Sequence, residues 1–125
     1  MSRKVTRAKK SNRSVRYVLG VHTRHVHRIV YECGGKSHRV GGPAVIYFLG
    51  AEGWDIGGLS HREDGPAWIG ADGTEMWYRN GRLHREDGPA ILSSDGAKEY
   101  WLFGVWCSYE DWLIKVQNMK GTSSE

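Results

Sequence analysis

Three seven-residue strings return at a fixed interval along this chain: HRVGGPA at His38–Ala44, HREDGPA at His61–Ala67 and HREDGPA again at His84–Ala90, each 23 residues after the one before. A period in the twenties is the signature of stacked supersecondary units, none of which can bury its own apolar face alone. The register reaches beyond the string. Gly50, Gly73 and Gly96 coincide, preceded by Leu49, Asp72 and Asp95. Trp54, Trp77 and Tyr100 fall four residues later, and Gly58, Gly81 and Gly104 four after those. Upstream, Tyr31, Gly35 and His38 match Trp54, Gly58 and His61, so a half-repeat opens near Arg28; downstream, Cys107 stands where a further His is due. About three units result, the number at which stacking makes a continuous core, and the ends differ from the middle as caps do.

Within a unit, short strands alternate with tight turns. Pro66–Gly70 and Glu75–Arg79 flank Asp72–Gly73, and Asn80–Gly81 precedes Arg82–Arg85. Asp-Gly and Asn-Gly between such runs predict type I′ hairpins, in which both central residues take positive φ. Asp64–Gly65–Pro66 and Asp87–Gly88–Pro89 mark another corner, where Pro opens a strand that does not use its missing donor. The pattern predicts an all-β fold, an antiparallel β-hairpin repeat array that meanders with one rung per repeat. Its six Trp and six Tyr fall mostly at repeated strand positions. Trp54, Trp77, Tyr100 and Trp101 are expected to form a core stripe, with cross-strand aromatic pairs contributing about 0.2–1 kcal/mol each. A row of exposed rings that binds a base or a peptide is the alternative. His38, His61, His84, Gly73, Gly81 and Gly96 are expected to serve the repeat structurally.

After the array the pattern turns helical. Ser108 is an N-cap residue, Glu110 and Asp111 place acids in the first turn, and Tyr109, Trp112, Leu113 and Val116 give an apolar face at helical spacing. A helix from Tyr109 to about Met119, ending near Gly121, is expected to cap the array over 108–121 and to cover its last open sheet edge.

The period, the aromatic–x–x–x–Gly spacing and the HREDGPA string resemble the MORN-like repeat proteins, in the divergent form found in phage and giant-virus genomes. The resemblance covers roughly Arg28–Trp106. It implies a non-enzymatic scaffold or interaction module encoded by a phage or bacterium, and no catalytic residues. The first repeat departs from the pattern, with Val40–Gly41 in place of Glu-Asp.

Charge is distributed unevenly. Residues 1–28 hold nine bases (Arg3, Lys4, Arg7, Lys9, Lys10, Arg13, Arg16, Arg24, Arg28) and no acid, so the formal net charge of +4 splits into +9 there and −5 over the rest. A flexible basic arm over 1–16 is expected, followed by the array over 17–107, with Tyr17–Val21 pairing as a strand onto the first rung. Such an arm neutralises phosphates and releases counterions, which makes those nine residues the candidate nucleic-acid contacts. The alternatives are an arm that binds an acidic protein surface, and a solvated tail that leaves the repeats as a pure protein–protein adaptor or as a structural subunit of a larger assembly. His22, His25 and His27 have spacing that a metal can use, but with no Cys or carboxylate beside them no metal and no cofactor is expected.

His61 with Asp64 and His84 with Asp87 suggest general acid–base chemistry, yet a repeat presents the same group on every rung, whereas an enzyme needs one unique pocket. Structural roles are expected instead: Asp capping the turn, His bonding a carbonyl, and Arg pairing with Glu of the next rung. Cys33 and Cys107 lie at opposite ends of the array, too far apart for a disulfide. With no apolar leader or span, a cytoplasmic protein (of the host cell, if phage-encoded) is expected, with a protein or nucleoprotein complex as partner and no membrane contact.

Overall fold

A computed structural model describes residues 2–7, 13–19 and 26–123. Among the described residues, eleven strands form one antiparallel sheet. Its path runs Ser2–Arg7, Arg13–Leu19, Val26–Cys33, Val45–Tyr47, Glu52–Gly53, Trp68–Ile69, Glu75–Met76, Ile91–Leu92, Lys98–Leu102 and Val105–Cys107, with Lys36–Ser37 attached beside Val26–Cys33. Two outer ladders, Asp55–Ile56 with Leu59–Ser60 and Tyr78–Arg79 with Arg82–Leu83, stand off this path. One helix, Tyr109–Ser123, follows. The all-β hairpin array with a C-terminal helix is therefore the architecture of the chain.

Each unit holds two hairpins rather than a single rung. The outer hairpin runs from the aromatic to the histidine, and the inner one follows the Pro-Ala step. They use different turns. Asn80 and Gly81 take φ of 51° and 80°, the paired positive values of a type I′ turn. Asp72–Gly73 does not: only Gly73 is positive, at 92°. The inner turn is longer, closed by Gly70 N–H to Thr74 O at 2.8 Å and Gly73 N–H to Gly70 O at 3.0 Å, while the Asp72 carboxylate accepts from Thr74 N–H at 2.9 Å. Asp-Gly here is an Asx-capped turn with a left-handed Gly, and the Asp95–Ala97 bond at 3.0 Å repeats it.

Units are joined by backbone bonds at constant offsets. Trp54 N–H donates to Ala67 O at 2.6 Å, and Trp77 N–H to Ala90 O at 2.7 Å. Ala67 N–H in turn donates to Met76 O at 2.9 Å, and Ala90 N–H to Glu99 O at 2.8 Å. These bonds bring the chain so close that Ala44, Ala67 and Ala90 are 0, 1 and 0% exposed. The centre of the array is therefore a ladder of small residues. Large side chains are buried at the C-terminal end instead, where Leu102, Cys107, Trp112 and Val116 pack together. Ser108 Oγ accepts from Asp111 N–H at 3.2 Å, as an N-cap should. Helical spacing then turns Trp112 and Val116 inward against Lys98–Leu102 and Val105–Cys107.

The N-terminal segment departs from the expected arm. Ser2–Arg7 pairs antiparallel with Arg13–Leu19, which pairs with Val26–Cys33. The described part of 1–16 thus prolongs the sheet by two strands. An edge strand needs little apolar surface of its own when its backbone groups find a partner, so the dense charge did not betray it. Tyr17, Val18 and Leu19 lie in the expected strand; Gly20 and Val21 lie outside the described residues.

Candidate functional site

The seven-residue string folds into a self-contained clamp. Arg62 Nε donates to Asp64 at 3.1 Å and its Nη1 to Pro66 O at 3.1 Å, and the guanidinium lies 3.7 Å from the Trp54 ring centre. Arg85 repeats this with Asp87 at 2.8 Å, Pro89 O at 3.1 Å and Trp77 at 3.7 Å. A Cβ at 65 or 88 would stand 2.7 Å or 2.8 Å from the guanidinium carbon, so a larger residue there would push the arginine out of this position. The histidine does different work. His61 Nδ1 accepts from Asn80 N–H at 3.0 Å and His84 Nδ1 from Phe103 N–H at 2.9 Å, each nineteen residues on. With Nδ1 accepting, the ring proton sits on Nε2, which faces Glu63 at 3.4 Å and Glu86 at 2.7 Å.

These contacts redistribute the expected roles. Arg pairs with Asp of its own unit, not with Glu of the next. Glu serves His, and His accepts an N–H from the following hairpin instead of bonding a carbonyl. Trp54 and Trp77 are half-buried beneath arginines rather than packed in an apolar core. Tyr100 is the end member: Ser108 stands where its arginine is due, and Trp112 packs on it instead, with ring centres 4.9 Å apart. Among the described residues no three His, Cys, Asp or Glu side chains converge on one point.

The clamp sets an acid limit on stability. The Arg85 hydrogen bond holds the Asp87 carboxyl below its ordinary value, and the Thr74 backbone N–H does the same for Asp72. A carboxyl lowered in the folded state contributes stability present above the unfolded value of about 4, and that contribution disappears as pH falls through the folded one. Thermal melts from pH 6 to pH 2 are expected to show a loss below about pH 4 that is smaller in Asp87→Asn than in the parent. A loss of equal size in both would remove Asp87 from this role.

The nine candidate nucleic-acid residues separate. Lys9, Lys10 and Arg24 lie outside the described residues. Arg3, Lys4 and Arg7 are in the first strand, where Lys4 stands opposite Arg16, Arg3 opposite Tyr17 and Arg7 opposite Ser14. Arg16 stands opposite Val30 and Arg28 opposite Val18, so Arg16 and Arg28 share a sheet face. Arg13, opposite Cys33, belongs to the other face. Arg16 is also committed, its Nε lying 2.7 Å from the buried Glu32 carboxylate. His27 is exposed near Tyr47, while His22 and His25 lie outside the described residues.

Two features were not anticipated. At the first inner turn Phe48 and Leu49 are 78% and 79% exposed, where the other units place Ala71–Asp72 and Ser94–Asp95. Aligning the turns on Gly50, Gly73 and Gly96 exposes the substitution. The second is a cleft of about 320 Å³ beside the first string, lined by Arg13, Val15, Tyr31, His38, Arg39 and Val40 among others.

No family model matches this chain, and no curated protein or solved structure matches it either. Cys33 and Cys107 are free thiols, and no helix among the described residues is long and apolar enough to cross a membrane.

Proposed function

We propose that the chain is a non-enzymatic binding module of MORN-like type, encoded by a phage or bacterium and active in the host cytoplasm. Its basic N-terminal strands engage nucleic acid or a nucleoprotein complex, for example as an inhibitor of a host defence complex. The repeat face takes a protein partner. The observation that carries this is the register that sets Lys4 opposite Arg16, with Arg28 in the neighbouring row. Arg16 is paired with Glu32, and the bases of the three adjacent strands together offer a phosphate backbone a run of cations whose binding releases counterions.

Fluorescence anisotropy with a labelled duplex DNA and a labelled single-stranded RNA tests it. Log affinity is expected to fall linearly with log salt, and Lys4→Gln and Arg28→Gln should each flatten that slope by about one phosphate equivalent. Point substitutions serve better than deletion of residues 1–16, which would remove one strand and part of the next. Salt-independent binding, or slopes that neither variant changes, defeats the proposal. A pure protein adaptor is the second reading, favoured by the exposed Phe48–Leu49 tip. In that case a partner recovered from host lysate survives nuclease and is lost in the Phe48→Ala, Leu49→Ala variant.

A further inference from the structure

The repeats allow each unit to be compared with its neighbours, and the first unit has lost acceptors while keeping donors. Arg62 and Arg85 direct Nε at Asp64 and Asp87. Arg39 keeps the rest of that geometry, with its guanidinium 4.0 Å from the Tyr31 ring centre and Nη1 to Pro43 O at 3.3 Å. At the aspartate position, however, stands Gly41, with φ of 81°. His38 likewise keeps its Nδ1 bond, from Gly57 N–H at 2.9 Å, which leaves the proton on Nε2. Where His61 and His84 meet Glu63 and Glu86, His38 has Val40, 76% exposed. The acids close by are engaged elsewhere: Glu32 with Arg16 at 2.7 Å and Asp55 with the Ser37 hydroxyl at 2.7 Å. Among the described residues neither Arg39 nor His38 has a carboxylate partner, and both line the cleft. Arg13 adds a second cation there, Val15, Tyr31 and Val40 supply apolar wall, and Glu32, buried against Arg16, also lines the cleft.

We infer that this cleft binds the adjacent carboxylates of an acidic peptide segment, a Glu-Asp or similar pair supplied by a partner protein, which takes the place of the two acids the first unit lacks. Two donors fixed by their other bonds, the ring of His38 and the fork of Arg39, fit planar carboxylates and are already positioned before binding. The inference rests on reading the repeat face as a protein-binding surface. It can fail separately from the nucleic-acid reading: Arg13 is common to both, but Arg28 does not line the cleft and the peptide titration does not read the salt slope.

The test is an NMR titration of the full ¹⁵N-labelled chain with the peptide acetyl-Ala-Glu-Asp-Ala-amide, with acetyl-Ala-Gln-Asn-Ala-amide and inorganic phosphate in parallel. Saturable shifts are expected at the amides of Tyr31, Arg39 and Val40 with the acidic peptide and not with its amide analogue. Arg39→Gln should weaken binding about tenfold or more, as loss of a charge-assisted hydrogen bond does, while Arg62→Gln leaves it unchanged. Val40→Glu returns one internal acid and should compete with the peptide; Val40→Gln should not. Absence of saturation, binding indifferent to Arg39→Gln, or phosphate binding as tightly as the peptide each overturns the inference. Thermal midpoints of all variants separate lost binding from lost folding, and Arg39→Gln decides the matter if Val40→Glu unfolds.

Discussion

Trp112→Ala is expected to lower the stability of the protein by about 3–5 kcal/mol, the range for removing a large buried aromatic. Trp112 is 6% exposed and completes the cluster with Leu102, Cys107 and Val116. It also packs at a tilt on Tyr100 and donates from Nε1 to Arg85 O at 2.9 Å, so truncation leaves a cavity and an unpaired carbonyl together. A small domain holds only about 5–15 kcal/mol in all, so the helix should undock. Urea denaturation followed by circular dichroism is the measurement. In a quasi-one-dimensional stack the loss should start at the C-terminal unit, so the helical signal is expected to disappear at lower urea than the aromatic signal of the middle repeats. A single transition with an unchanged midpoint would show that the helix is not what closes the array.

The three histidines should give a graded series from identical chemistry. His84 is buried, its side chain 3% exposed, with the tilted Phe103 ring 4.2 Å away and Glu86 at 2.7 Å. His84→Ala is expected to be destabilising by about 2–4 kcal/mol, combining a cavity with the orphaned Phe103 N–H. His61 is more open, 18% by side chain, and its Glu63 is 3.4 Å away, so His61→Ala should cost about 1–2 kcal/mol. His38→Ala, with no glutamate, should cost least. The chemical-denaturation midpoints of the three variants check the order. Equal losses would mean that the Nδ1 bond alone matters and that the glutamates contribute nothing. Phe103 adds to the first value, since its φ of 50° is a left-handed conformation that an aromatic residue holds only when its surroundings impose it. The His84 bond and ring contact are those surroundings.

The period of 23, the Asn80–Gly81 turn and the Ser108 cap were all readable from the chain, because each is a local signal with a single geometric meaning. The division of labour inside HREDGPA was not. Its seven residues are contiguous, and nothing in their order says that Arg62 folds back onto Trp54 while His61 reaches forward to Asn80. The first strand and the start of the second were hidden for a different reason. Ser2–Arg7 carries three bases and no apolar alternation, and it is a strand because Arg13–Leu19 offers it an edge. Leu49 aligns with Asp72 and Asp95 in the sequence, and the turn sets Phe48 and Leu49 at an exposed tip. The cleft could have been anticipated in part, since Val40–Gly41 breaks the repeat in the sequence itself. Only the fold shows that the donors stayed in place after the acceptors were gone.

The Trp54–Ala67 step and the His84–Phe103 contact each recur at the same offset in the other units. A further copy of 61–83 spliced into the middle would meet donors and acceptors already in place on both sides. Length is thus a quantity that duplication can alter without redesigning either end. The unit that departs from the others precedes the splice point, so an expanding array would carry its proposed binding address along unchanged.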